Sequence, residues 1–109
     1  MAASVRLLET RVFPADAVQD PSEVGDFGAS KELDIIIRVL KAGTAGTIEL
    51  QHAVVNETSG FLQLATTVVN LNAAGSTFVQ VTAFTRYVRW LVQGVAGSPV
   101  VRIDLVAKN

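Results

Sequence analysis

The sequence predicts an all-β protein, a single antiparallel β-sandwich or jelly roll of about seven or eight strands with one long acidic loop. Apolar residues recur at every second position over most of the 109-residue chain. Alternate side chains of a strand point to opposite faces, so this period marks half-buried strands. Val, Thr, Ile and Phe fill many of these positions, as a pleated surface favours. Clusters of Gly, Asn, Ser and Pro interrupt the pattern at short intervals, which leaves no sustained helical face.

The first strand is predicted over Val5–Phe13. The rhythm then stops from Pro14 to Lys31, where Pro14, Pro21, Gly25 and Gly28 accompany Asp16, Asp20, Glu23 and Asp26. This reads as a long loop, and such loops are uncommon in compact domains unless they have a role. A neighbouring subunit is one way to hold it in place. Glu32–Leu40 gives the clearest strand, with Leu33, Ile35, Ile37 and Val39 on one face and Asp34, Ile36, Arg38 and Leu40 on the other. Thr47–Val55 repeats the alternation. Further strands are predicted over Phe61–Leu71, Thr77–Phe84, Tyr87–Val92 and Val100–Ala107. Turns fall at 42–46, 56–60, 72–76 and 94–99, and Pro99 sits where a strand begins and a missing N–H matters least.

Composition bounds the function. The length fits one domain burying about 65% of its unfolded surface, a sufficient core without covalent staples. Cysteine is absent, which removes disulfide scaffolds and thiolate metal sites. A net charge of −1 lacks the basic field of a general nucleic-acid binder. Mean hydropathy is +0.40 with only 17% charged residues, against about 25% in an average domain. No run approaches the ~18 apolar residues of a membrane span, and the first residues lack the pattern of a secretory signal. The surplus apolarity predicts strands whose second face also meets a partner, with Ile36, Leu40, Leu8, Val12 and Val106 as candidates.

Few residues offer chemistry. His52 is the sole imidazole and shares a strand face with Ile48, Leu50 and Val54, away from any nucleophile elbow. The loop acids have no spacing that enforces a catalytic pair, and they do not match a calcium-binding loop, although calcium stays open. Gly43-Thr-Ala-Gly46 reads as a turn between strands rather than a phosphate cradle. The stretch from Phe84 to Val92 holds the only Tyr and the only Trp, with Arg86 and Arg89 each directly before one of them. Such a set suits either a core Trp flanked by pairing arginines or a sugar-stacking face.

Thr85-Arg-Tyr-Val-Arg-Trp90, followed by a Gly-containing turn and Val100-Val-Arg-Ile-Asp-Leu-Val-Ala-Lys108, resembles the closing strands of jelly-roll sandwiches. The likeness extends over Glu32 to Lys108. It is shared by discoidin-like carbohydrate-binding domains and by small β-sandwich structural proteins of tailed bacteriophages. Ala45 to Val54 adds to the second likeness. The phage resemblance implies a non-enzymatic capsid, decoration or tail component, located in the virion and without cofactor or metal. Its partners would be further copies and other virion proteins, not nucleic acid or membrane. The expected interface residues are Asp16, Asp20, Glu23, Asp26, Arg86, Arg89 and Arg102, acids of one copy meeting arginines of the next. The alternative is a carbohydrate-binding module holding a glycan with Tyr87 and Trp90.

Overall fold

The computed structural model describes residues 2–64 and 67–109. It contains β1 (Ala2–Val12), β2 (Ala17–Val18), β3 (Gly25–Asp26), β4 (Glu32–Lys41), β5 (Ala45–Ala53), β6 (Leu62–Gln63), β7 (Val69–Asn70), β8 (Gly75–Val81), β9 (Tyr87–Ala96) and β10 (Val100–Lys108). These make two antiparallel sheets. The first has the order β1-β10-β4-β8. The second is built on the β9–β5 pair, with β2 and β3 both on β9 and β6 and β7 both on β5. Counting each two-part edge as one position leaves eight strand positions, four in each sheet. The chain passes back and forth between the sheets in the order of a jelly roll.

The alternation read from the sequence sets the core. On β4, Leu33, Ile35, Ile37 and Val39 point inward and are buried, while the intervening residues are half-exposed. Each such side chain contributes about 1.5–3 kcal/mol on burial. A one-residue slip would place Asp34 and Arg38 in the core, which fixes the register. Ile48 and Leu50 of β5, Trp90 and Val92 of β9, and Ile103 and Leu105 of β10 close the core from both sides. The protein exposes 5749 Å², close to the ~5,800 Å² expected for its mass. Its surplus apolarity therefore reflects which residues are exposed and not an enlarged surface.

Three departures from the sequence reading have local causes. Leu8 is buried, because register shifts on either side of it in the β1–β10 ladder turn both Leu7 and Leu8 inward. The expected strand over Phe61–Leu71 is two short pairings against β5, and residues 65 and 66 of that stretch lie outside the described residues. Strand β9 runs on to Ala96, so the turn before β10 is tighter than expected. Gly97 there has φ +81°, and a Cβ on it would stand 2.6 Å from the Thr44 nitrogen. That position requires glycine.

The acidic segment 14–31 is an edge of the second sheet. Ala17 and Val18 pair with Val92 and Leu91, and Gly25 and Asp26 pair with Val88 and Tyr87. A single 3₁₀ turn, Pro21–Glu23, joins the two pairings. Phe13 and Phe27 anchor its ends in the core. Gln19 holds the middle and is only 2% exposed. Its Nε2 donates to the carbonyl oxygens of Leu7 and Glu23, and its Oε1 accepts from the Trp90 nitrogen at 3.3 Å. The chain thus holds this segment with its own residues.

Candidate assembly interface

The loop acids are placed by local hydrogen bonds. Asp16 accepts from the Val95 nitrogen at 2.9 Å, and this bond with that from Gly94 keeps its carboxyl below the ordinary range. Asp20 caps the 3₁₀ turn through the hydroxyl and nitrogen of Ser22, with the same effect on its carboxyl. Asp26 receives two parallel bonds from Arg86, Nε to Oδ1 at 3.0 Å and Nη2 to Oδ2 at 2.9 Å. Those bonds and the Gly28 nitrogen hold Asp26 low. This arginine–aspartate pair closes within one chain, across the β3–β9 pairing. Glu23 is exposed at the surface of the turn. No three of the described His, Asp and Glu residues stand together as a metal site would need.

Strand β9 directs Trp90 inward and Tyr87 and Arg89 outward. Trp90, 2% exposed, lies in the core with its ring edge-on to Phe13 at 5.3 Å. It forms no sugar-stacking platform. Tyr87 is half-buried on the outer face, with the Arg86 guanidinium 5.0 Å from its ring centre. Arg89 also faces outward, yet it is 9% exposed. The loop after β5 crosses that face, reaches Pro21 through Asn56, and lays Phe61 over the Arg89 guanidinium at 4.0 Å. Arg89 Nε donates to Gln51 Oε1 at 2.9 Å. Burial lowers its pKa from the usual arginine value. The Nδ1 of His52 accepts from the Thr85 nitrogen at 3.0 Å, which leaves the ring proton on Nε2 when the ring is neutral.

Arg102 belongs to a different face. On the outer side of the first sheet, Arg6, Arg38 and Arg102 converge on Asp104, at 2.9, 3.6 and 3.0 Å. Burial raises the Asp104 pKa, but the bond from Arg6 and the charges of Arg102 and Arg6 outweigh it and hold the carboxyl low. Arg38 Nε is buried and makes no hydrogen bond among the described residues. Three guanidiniums on one carboxylate leave this patch cationic, with Glu9 only 3.3 Å from Arg6. At the far end of β10, Lys108 pairs with Asp34 and, at 3.3 Å, with Glu32.

Beside the arginines lies apolar surface. Asp104, Ile36 and Phe78 are directly opposed across β10, β4 and β8. Phe78 is 62% exposed and Leu40 is 50% exposed. A shallow depression of about 570 Å³ runs over this face, bounded by Ser4, Arg6, Asp34, Ile36, Phe78 and Val106. Ile36, Leu40 and Val106 were legible as outward residues of apolar strands. Phe78 was not singled out, although its place between Thr77 and Val79 in an alternating strand put it on the outer face.

No family model matches this sequence, and no curated protein matches it. Solved structures do. The chain is similar to a subunit of Bacillus endospore appendages, a family of disulfide-linked pili, with a TM-score of 0.59 at 12% identity, covering 100% of this chain and 87% of that one. The fold is shared with appendage and prophage proteins. The SPBc2 prophage-derived protein YomS matches with a TM-score of 0.58 at 13% identity, over 97% of this chain and 93% of its own. The PBSX exported protein XepA matches with a TM-score of 0.64 at 17% identity over 97% of this chain, which spans 37% of XepA. At these identities the likeness establishes the architecture, the outline of the sandwich described above.

Proposed function

We propose that this chain is a non-enzymatic structural subunit that assembles with copies of itself, as a component or decoration of a phage particle. The observation that carries this reading is the outer face of the first sheet, where Phe78 and Leu40 stand exposed beside Ile36, Val106 and a cluster of three arginines. A contiguous apolar patch on a regular sheet face ordinarily meets a partner. Removing ~800 Å² per subunit, half of it apolar, would contribute about 10 kcal/mol at ~25 cal/mol per Å² before the costs of association. The likeness to a pilus subunit and to two prophage proteins supports this reading. Its partners are other copies and neighbouring virion proteins, and its location is the virion.

Charge orients the contact more than it strengthens it. All four acids of the segment 14–31 are exposed; Asp20 and Glu23, which among the described residues make no bond to strand β9 or to an arginine, suit the cationic patch of Arg38 and Arg102 on a neighbour. Asp16, Asp26, Arg86 and Arg89 act in this reading by shaping the surface, since their bonds are made at home. Negative-stain microscopy of the purified protein, with native mass spectrometry at micromolar concentration, tests the proposal. Rings, filaments or a defined oligomer are expected. A monomer that also binds no capsid or tail surface would refute it.

A further inference from the structure

A sandwich has four sheet edges, and each is a row of backbone groups able to pair with another chain unless something blunts it. Three of the four are blunted here. Strand β1 carries Arg6, Glu9 and Arg11 and is broken by two register shifts. The β2–β3 edge consists of two-residue pairings separated by a 3₁₀ turn that begins with Pro21. The β6–β7 edge is likewise two short pairings.

The fourth edge is different. Strand β8, Gly75-Ser-Thr-Phe-Val-Gln-Val81, pairs with β4 without interruption over seven residues. It contains no charge, no proline and no bulge. Among the described residues its other side has no strand neighbour, and its backbone makes no hydrogen bond to a turn or loop. Its most prominent side chain is the exposed Phe78.

The sequence of β8 is also self-complementary. If two copies pair antiparallel with Phe78 opposite Phe78, then Ser76 faces Gln80, Thr77 faces Val79, and Gly75 faces Val81. The polar pair and the aromatic pair fall on the outer face, while the β-branched pair continues the inner one. Aromatic and β-branched cross-strand pairs are favourable ones, and no like charges meet. Ile36 stands beside Phe78 in the next strand, so the two-fold axis would gather two Phe and two Ile side chains into one cluster.

We propose that β8 is the edge through which this chain pairs with a second copy of itself, antiparallel and centred on Phe78, joining two four-stranded sheets into one of eight. A contact of this kind is isologous, so it closes on itself as a dimer. Further growth of an assembly then uses other surfaces. The inference rests on the assembly reading above and adds the place and symmetry of the joint.

Two variants test it in a chain that has no cysteine of its own. Ser76→Cys/Gln80→Cys keeps Phe78 and, in this register, brings the introduced thiols of opposite copies together twice. Within one chain the two positions are ~13 Å apart along the strand, too far for a disulfide. Mild oxidation is expected to convert most of this variant to a covalent dimer, while Leu62→Cys, exposed on β6, stays largely monomeric on a non-reducing gel. Phe78→Lys, at an exposed position, is expected to fold, with unchanged far-UV circular dichroism. It should weaken self-association on the order of 30-fold, the effect of losing a central aromatic anchor. If the wild type assembles but the double-cysteine variant crosslinks no better than Leu62→Cys, or Phe78→Lys assembles like the wild type, the β8 joint is wrong and the assembly reading stands. If the wild type neither self-associates nor binds a virion surface, both fall.

Discussion

Replacing Gln19 with leucine isolates what holds the acidic segment. Its side chain makes two donations, to the carbonyl oxygens of Leu7 at 3.1 Å and Glu23 at 2.9 Å, and accepts one bond from the Trp90 nitrogen. The first ties β1 in one sheet to the edge of the other, and the last ties that edge to β9 in the gap between its two short pairings. Leucine matches the volume but offers no polar atom, so it leaves buried backbone groups without partners. Each such group costs about 1–3 kcal/mol, and a made bond contributes about 1 kcal/mol net. Set against a modest apolar gain, Gln19→Leu is expected to lose about 3 kcal/mol. For a domain of this size that is a fall in Tm of about 12–15 °C. Thermal unfolding followed by tryptophan fluorescence measures it, and limited proteolysis should find new cleavage between Pro14 and Lys31. A fall of less than about 3 °C, with the segment still resistant, would refute the claim that the chain's own core restrains it.

Three further outcomes follow from the same geometry. Trp90 should emit at short wavelength, resist iodide quenching and ignore added glycans, and Trp90→Ala should cost about 3–5 kcal/mol; a glycan-dependent emission shift would contradict its place in the core. Arg89→Met should leave stability within about 1 kcal/mol of wild type, because Arg89 has no carboxylate partner among the described residues, whereas Arg89→Glu should unfold the monomer by placing an acid under Phe61. Loss of assembly with unchanged folding in Arg89→Glu would show instead that this arginine faces a neighbour. Asp16, Asp20, Asp26, Asp34 and Asp104 all titrate below the ordinary carboxylate range when folded. The unfolded chain therefore binds protons first as pH falls below about 4, so this stabilisation is complete above about pH 5 and declines through the lowered folded values. Urea midpoints that stay constant down to pH 2 would contradict these five contacts.

Much of the fold was legible because period-two alternation encodes both strand and face. Leu33, Ile35, Ile37 and Val39 announced β4, and the turn before β10 was marked by Gly97 and Pro99. The edge strands were not legible. Two-residue pairings such as Ala17–Val18 are too short to show a period, and what fixes them is a buried Gln19 whose partners are far away in sequence. The signal that existed was at the ends, where Phe13 and Phe27 are apolar anchors on an otherwise polar stretch. Leu8 escaped for another reason: a register shift changes which face a residue takes, and nothing in an apolar pair announces it. At the candidate interface, the arginine-rich stretch around Trp90 drew notice by composition. The alternation there sends Trp90 inward, and Phe61, far along the chain, then covers Arg89. The exposed Phe78 lay in a strand without charge, where only the pairing of β8 with a single neighbour reveals an open edge.

The assembly proposed above joins copies of this jelly roll through the first sheet. Sedimentation equilibrium of the purified wild-type chain over a range of micromolar concentrations decides whether they join. A mass of at least twice 11.6 kDa is expected, reverting toward the single-chain mass in Phe78→Lys. A wild-type mass of one chain at every concentration would contradict it.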